Sequence, residues 1–176
     1  MNWVGIGKTV FTEEHIQNRI AEIAAEINRD YQGQELVIVS VLKGSLYFVA
    51  DLTRRLTMPL SIDFLSIGVS PGAENKPRVV RIKKDLDLSL GERHVLLVED
   101  LIGTGLTLAY VCQRLEMDKP ASLKICTLLD KSKDRLLPIK IDYRCFVMPD
   151  RFLVGYGLDY NEQYRNLPYI AEFRKK

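Results

Sequence analysis

Apolar positions along this chain follow two rhythms. Between Thr12 and Tyr31, Ile16, Ile20, Ile23, Ala24 and Ile27 recur at helical spacing, which predicts an amphipathic helix; Thr12 offers a capping hydroxyl and Gly33 a stop. Leu36 to Leu42, LVIVSVL, is instead a continuous β-branched run, as expected of a strand buried on both faces. Lys43-Gly44 interrupts it, and Ser45 to Leu56 returns to helical spacing. A strand is predicted over Leu60 to Ile67. A mobile polar loop follows over Gly68 to Pro77, holding Pro71, Gly72, Asn75 and Pro77, and then a short apolar run, Val79 to Ile82. His94 to Val98 reads as a buried strand, Gly105 to Met117 as a helix and Ser122 to Leu129 as a strand. Arg144 to Met148 and Phe152 to Gly155 read as two more strands.

Strand, turn and helix in alternation predict an α/β fold with a parallel sheet covered by helices. No repeat, low-complexity tract or long linker divides residues 1–176, so a single domain is expected. In such folds ligands bind beyond the carboxyl ends of the strands, near the switch in strand order. Lys43-Gly44, Glu99 through Thr107, Asp130-Lys131 and the segment after Phe152 all follow strand-like runs. Four chemically rich segments should therefore meet at one edge.

Composition narrows the classes. A hydrophobic fraction of 47% with 27% charged residues is ordinary globular usage. Lys plus Arg number 25 against 23 for Asp plus Glu; a net charge of +2 argues against a dedicated duplex-DNA binder. The longest uncharged run, Leu101 to Gln113, is too short to span a bilayer, and MNWVGIGKTVF has no secretion-signal pattern. Cys112, Cys126 and Cys145 lack zinc or redox spacing and read as reduced thiols of a cytoplasmic protein. His15, in a helix, and His94, at a strand entrance, are read as structural.

The most informative stretch is VLLVEDLIGTGLT, Val95 to Thr107. A buried strand carries two adjacent acids, Glu99 and Asp100, into a loop of small residues that opens a helix. Small residues let backbone N–H groups approach an anion, the helix N-terminus adds partial positive charge, and Thr104 and Thr107 add hydroxyls. The loop suits a phosphate, and the acids suit hydroxyls or hydrated Mg²⁺. A phosphorylated sugar carries both. The spacing is not that of a Walker A loop, and GIGKTV, GTGLTL and GYGLDY all lack the third glycine or alanine of a dinucleotide fingerprint. Taken alone, the acids could be an exposed strand end and the loop a plain helix cap.

This segment resembles the phosphoribosyl-diphosphate (PRPP) motif of the phosphoribosyltransferases. VLKGSLYFVADL (Val41 to Leu52), LLDKSKDR (Leu128 to Arg135) and PDRFLVGYGLDYNEQYRNLP (Pro149 to Pro168) resemble, in order, further motifs of the hypoxanthine-guanine branch. The resemblance implies a type I phosphoribosyltransferase core, a small hood from the N- and C-terminal segments, and a flexible lid at about residues 68–78. It implies a reaction in which hypoxanthine or guanine plus PRPP gives IMP or GMP plus pyrophosphate, with Mg²⁺. Lys43, the Gly44 amide and Arg165 would hold pyrophosphate, with a cis Leu42–Lys43 peptide; Glu99 and Asp100 would hold the ribose hydroxyls. Gly103, Thr104, Gly105, Leu106 and Thr107 would cradle the 5′-phosphate. Lys131 would donate to the purine O6, Phe152 would stack on the base with Arg151 beside it, and the Leu153 backbone would read the base edge. Asp159, with Glu99 and Asp100, would serve Mg²⁺. Catalytic weight falls on Glu99, Asp100 and Lys131, whereas Asp150 and Glu162 read as surface carboxylates. Family habit also implies a homo-oligomer, dimer or tetramer, and no nucleic-acid or membrane partner.

The sequence departs from the motif in three places. Gly103 stands where the family ordinarily has an aspartate acting as general base, a contribution of about 10²–10⁴-fold. Forward turnover that is weak, or that relies on water or predominantly on purine already ionised, is therefore expected, with Gly103→Asp raising kcat. The lid's usual Ser-Tyr pair corresponds to about Val69-Ser70, and Leu106 replaces a polar residue. A rival reading, a PRPP- or nucleotide-binding regulator of the same fold, fits the lost base but not the near-neutral charge. A third, a transferase for xanthine or another base, differs only in contacts to the purine 2-position.

Overall fold

A computed structural model describes residues 5–70 and 79–174. The chain runs β1 (Ile6–Phe11), α1 (Glu13–Asp30), β2 (Leu36–Leu42), α2 (Leu46–Thr53), β3 (Leu60–Ser70) and β4 (Val79–Lys84). It continues through β5 (His94–Ile102), α3 (Leu106–Glu116), β6 (Ser122–Asp130), β7 (Tyr143–Val147), β8 (Leu153–Val154) and β9 (Ile170–Phe173).

Six strands form one sheet in the order β4-β3-β2-β5-β6-β7. All neighbours are parallel except the edge strand β4, which is antiparallel to β3. The continuous apolar runs have the expected cause, since alternate residues feed opposite cores. Leu36 and Ile38 of β2, with Leu96 and Val98 of β5, pack under α1 and α2. Val37 and Val39, with Val95 and Leu97, pack under α3. Helix α1 buries the five predicted residues, and the Thr12 hydroxyl accepts a bond from the His15 amide. Helix α2 is shorter than its apolar spacing suggests, ending at Thr53.

Three differences from the sequence reading bear on function. Strand β5 continues four residues past Val98, so Glu99 and Asp100 lie within it. Strand β3 likewise extends to Ser70, while positions 71–78 of the expected lid lie outside the described residues. A second sheet, in the order β1-β9-β8, joins the two ends of the chain in antiparallel register, with Thr9 opposite Ala171 and Leu153 opposite Glu172. Neither β1 nor β9 has a long apolar run: Ile6 and Phe173 pack on the small cluster of Val154, Tyr164 and Leu167, whereas Val10, Phe11 and Ile170 join the main core. The Phe152–Gly155 segment shrinks to β8 and belongs to this sheet. No helix among the described residues is long and apolar enough to cross a membrane. All three cysteines are free, Cys126 and Cys145 buried.

Candidate active site

Strand order reverses at β2: β3 lies on one side of it and β5 on the other, so the switch falls between the carboxyl ends of β2 and β5. The register Ser40↔Val98 brings Lys43-Gly44 and Glu99-Asp100 to the same end. The Leu42–Lys43 peptide is cis, as the resemblance implied. A Cβ on Gly44 would lie 1.8 Å from Asp100 Oδ2, and one on Gly157 would lie 1.8 Å from the Gly44 carbonyl oxygen. This close stacking of two backbones and a carboxylate requires glycine at both positions.

Two cavities share the Leu101, Gly103 and Thr104 wall. The larger, about 610 Å³, also contains Asp100, Lys131, Arg151, Phe152, Leu153 and Asp159, together with Asp134 and Asp150. The smaller, about 220 Å³, is lined by Glu99, Gly105 and Thr107 beside Val41 and Leu108. Eight of the expected residues thus face the larger space or the shared wall, and three more face the smaller one. Lys43, Gly44, Leu106 and Arg165 line neither; Leu106 is exposed.

The paired acids part company because successive residues of a strand point to opposite faces. Glu99 is buried with no hydrogen-bonding or ionic partner among the described residues. Burial first, and then the neighbouring Asp100 charge, push its carboxyl well above the ordinary range. Asp100 is also raised, chiefly by burial; backbone amides and Arg165 pull the other way, and Asp159 adds a like charge. Among the described residues no three His, Cys, Asp or Glu side chains gather as a metal cage. The expected set of Glu99, Asp100 and Asp159 is therefore divided, two facing the larger cavity and one the smaller.

The loop after β5 is held from outside. The Lys131 amide donates to the Ile102 carbonyl at 2.9 Å, and the Leu136 amide to the Thr104 carbonyl at 3.0 Å. Gly105 takes the left-handed conformation, φ +86°, that starts α3, with no acid in its first turn, and the Leu106 amide donates to the Thr104 hydroxyl at 3.4 Å. A helix start of this kind can donate further amides to an anion. At Gly103 a Cβ would meet nothing within 4 Å, so the missing side chain leaves open space.

Opposite the loop, Phe152 is 48% exposed, which excludes a purely core role. Its ring meets Tyr160 edge-on at 5.9 Å between centroids. The Lys131 ammonium sits 2.8 Å from Asp134 and 3.7 Å from Asp150. Arg151 pairs with the buried Glu172. Arg165 donates to the Gly157 carbonyl and pairs with Asp159 at 2.8 Å and Glu162 at 3.3 Å; Glu162 also holds Lys43 at 2.8 Å.

Asp150 and Glu162 are exposed, as surface acids should be, and they pair with Lys131 and with Lys43 and Arg165 respectively. Asp134 was missed altogether, because its relation to the loop runs through hydrogen bonds between segments some thirty residues apart. The only sequence signal was its place three residues after Lys131.

Residues 8–161 match the model of the phosphoribosyl transferase domain family. The chain is 44% identical over 167 residues to the hypoxanthine-guanine phosphoribosyltransferase of Staphylococcus aureus strain Mu50, covering 95% of this chain and 93% of that protein. It is 44% identical over 166 residues to that of Bacillus subtilis strain 168, covering 94% and 92%. A crystal structure of the Staphylococcus aureus hypoxanthine phosphoribosyltransferase superposes with a TM-score of 0.92 at 43% identity, over 99% of this chain and 96% of that one. The sheet order, the site at its switch point and these likenesses agree, and the chain belongs to the phosphoribosyltransferase family, within its hypoxanthine-guanine branch.

Proposed function

We propose that this enzyme transfers the phosphoribosyl group of PRPP to hypoxanthine or guanine, releasing pyrophosphate. The observation that carries the proposal is the shared wall: one glycine-threonine loop borders both a small cavity suited to an anion and a larger cleft suited to a flat base. In the small cavity the start of α3, the loop amides and Thr107 would receive the 5′-phosphate. In the larger one Phe152 offers a stacking face and Lys131 a donor to O6, with the Leu153 backbone and Arg151 at the base edge.

The ribose would lie between them, where Glu99 and Asp100 approach from opposite faces of β5. Bond breaking leaves positive charge on the sugar, and carboxylates beside it favour that charge. Lys43, the Gly44 amide and Arg165 stand at the end of β2, where pyrophosphate would leave. Both cations are held by Glu162, which the departing anion would displace.

Mg²⁺ belongs to the same proposal. Asp100, desolvated and repelled by Asp159, suits a hard cation, and Mg²⁺ commonly uses one or two carboxylates with substrate oxygens and water rather than a protein cage. Bound there, it would neutralise charge on the leaving pyrophosphate. A homo-oligomer and a cytoplasmic location complete the reading; sedimentation tests the first and cell fractionation the second.

Steady-state assays with hypoxanthine, guanine and xanthine, each with PRPP and Mg²⁺, provide the test. Base-dependent pyrophosphate release is expected with the first two. PRPP binding without turnover, coupled to salt-dependent nucleic-acid binding, would instead identify a regulator.

A further inference from the structure

Joining a ribosyl carbon to a purine nitrogen requires the imidazole ring to lose a proton, and Gly103 has no side chain to accept it. Four carboxylates line the larger cleft: Asp100, Asp134, Asp150 and Asp159. Asp159 is occupied by Arg165 and by the Glu162 amide at 2.9 Å. Asp100 lies against Gly44, at the ribose and pyrophosphate end. Asp150 is 74% exposed and 3.7 Å from Lys131. Asp134 is different. One of its oxygens contacts the Lys131 ammonium at 2.8 Å, the other has no hydrogen-bond partner among the described residues, and the side chain is 44% exposed.

The turn bearing Asp134 is fastened to the loop that lacks a side chain. The Lys131 amide, the Leu136 amide and the Arg135 guanidinium all bond to carbonyls of Ile102 or Thr104. In a 6-oxopurine, O6 and N7 lie side by side on one edge. A paired ammonium and carboxylate match that edge, one donating to O6 and the other accepting from N7–H.

Building on the proposed transferase reaction, we propose that Asp134 is the proton acceptor of this enzyme, acting from the neighbouring turn in place of a side chain at position 103. As the bond from C1′ to pyrophosphate breaks, its electron pair leaves with pyrophosphate. The N9 lone pair forms the new bond to C1′, and the N7 proton passes to the free oxygen of Asp134 and then to water. The charged groups bearing on Asp134 are Lys131, Lys133 and Arg135 on its own turn, with Asp100, Asp150, Arg151 and Asp159 lining the same cleft.

The experiment compares the unaltered enzyme with Asp134→Asn, Asp150→Asn, Gly103→Asp and the double variant Gly103→Asp/Asp134→Asn, measuring kcat and KM for hypoxanthine from acid to neutral pH. Asp134→Asn is expected to lower kcat about 10²-fold and to flatten the acidic limb of the kcat profile. Gly103→Asp should restore kcat in the Asp134→Asn background. If Asp134 only steadied Lys131, its loss would raise KM for hypoxanthine, leave the acidic limb intact and resist rescue. That result overturns the proposal, as does an acidic limb removed by Asp150→Asn alone. An unaltered enzyme that makes no nucleoside monophosphate removes the transferase reading and this assignment together. Normal turnover with Asp134→Asn unaffected removes this assignment alone.

Discussion

Asp63 in β3 and Glu99 in β5 are both buried acids of the same sheet, and they are treated in opposite ways. Asp63 accepts bonds from the amides of Phe64, Asp87 and Leu88 at 2.7–2.8 Å and has Lys84 at 3.6 Å. Burial would raise its pKa, but those amides and the lysine outweigh it, and the carboxyl ends below its ordinary value. Glu99 has burial and a second acid beside it and nothing to offset either. A satisfied buried acid fixes a loop to its sheet. An unsatisfied one costs stability and persists where a ligand will complete it.

The largest test of that contrast is Glu99→Gln, which should lower kcat/KM about 10²-fold while raising the melting temperature, because a charge that hydrogen bonds a ribose hydroxyl is worth about 1.5–3 kcal/mol. Unchanged activity would remove Glu99 from the site. Asp63→Ala should do the reverse, lowering unfolding free energy by about 2–3 kcal/mol as it orphans three amides, with kcat within about twofold of the original. Chemical denaturation and steady-state rates separate the two outcomes.

Phe152→Ala should raise KM for the purine about tenfold or more, the scale of one base stacked on an aromatic ring, while KM for PRPP stays nearly constant. Equal changes in both constants would mean that the ring supports the cleft rather than the base. Gly105→Ala forces a left-handed alanine whose Cβ lies 2.8 Å from Ile139, a cost of about 1–2 kcal/mol from backbone conformation alone. Its effect should fall on PRPP binding, the opposite pattern to Phe152→Ala.

The smallest effect is one of pH. The folded pKa of Glu99 is raised, so its contribution is fully present below the unfolded value of 4.5 and is lost as pH rises through the folded value. The melting-temperature gain of Glu99→Gln should vanish at low pH and reach about 3 °C or more at pH 8. The folded pKa of Asp63 is depressed, so its contribution is present above 3.8 and is lost as pH falls through the folded value. The Asp63→Ala deficit should therefore be full at neutral pH and shrink in strong acid. Melting curves at four or five pH values measure both slopes.

Much of the main sheet was legible because parallel strands buried on both faces leave uninterrupted apolar runs such as LVIVSVL and HVLLV. The loop at Gly103–Thr107 was legible for a similar reason, since small residues next to a buried strand and a helix start have a direct chemical reading. The small sheet was not legible as strands. IGKTVF and IAEF lie at opposite ends of the chain and pair with each other, their apolar residues divided between the main core and the cluster of Tyr164 and Leu167, so neither shows its environment locally.

By itself the sequence determined the alternation of strands and helices, the order of the four motifs and the absence of an aspartate at position 103. Those are properties of neighbouring residues and of spacing, which physical chemistry constrains locally. Only the tertiary structure decided that Glu99 and Asp100 open into different cavities, that Glu162 holds the cations at the end of β2, and that Asp134 comes beside the loop lacking its acid. Each depends on strand register and on hydrogen bonds between distant segments, and distance along the chain carries no record of either.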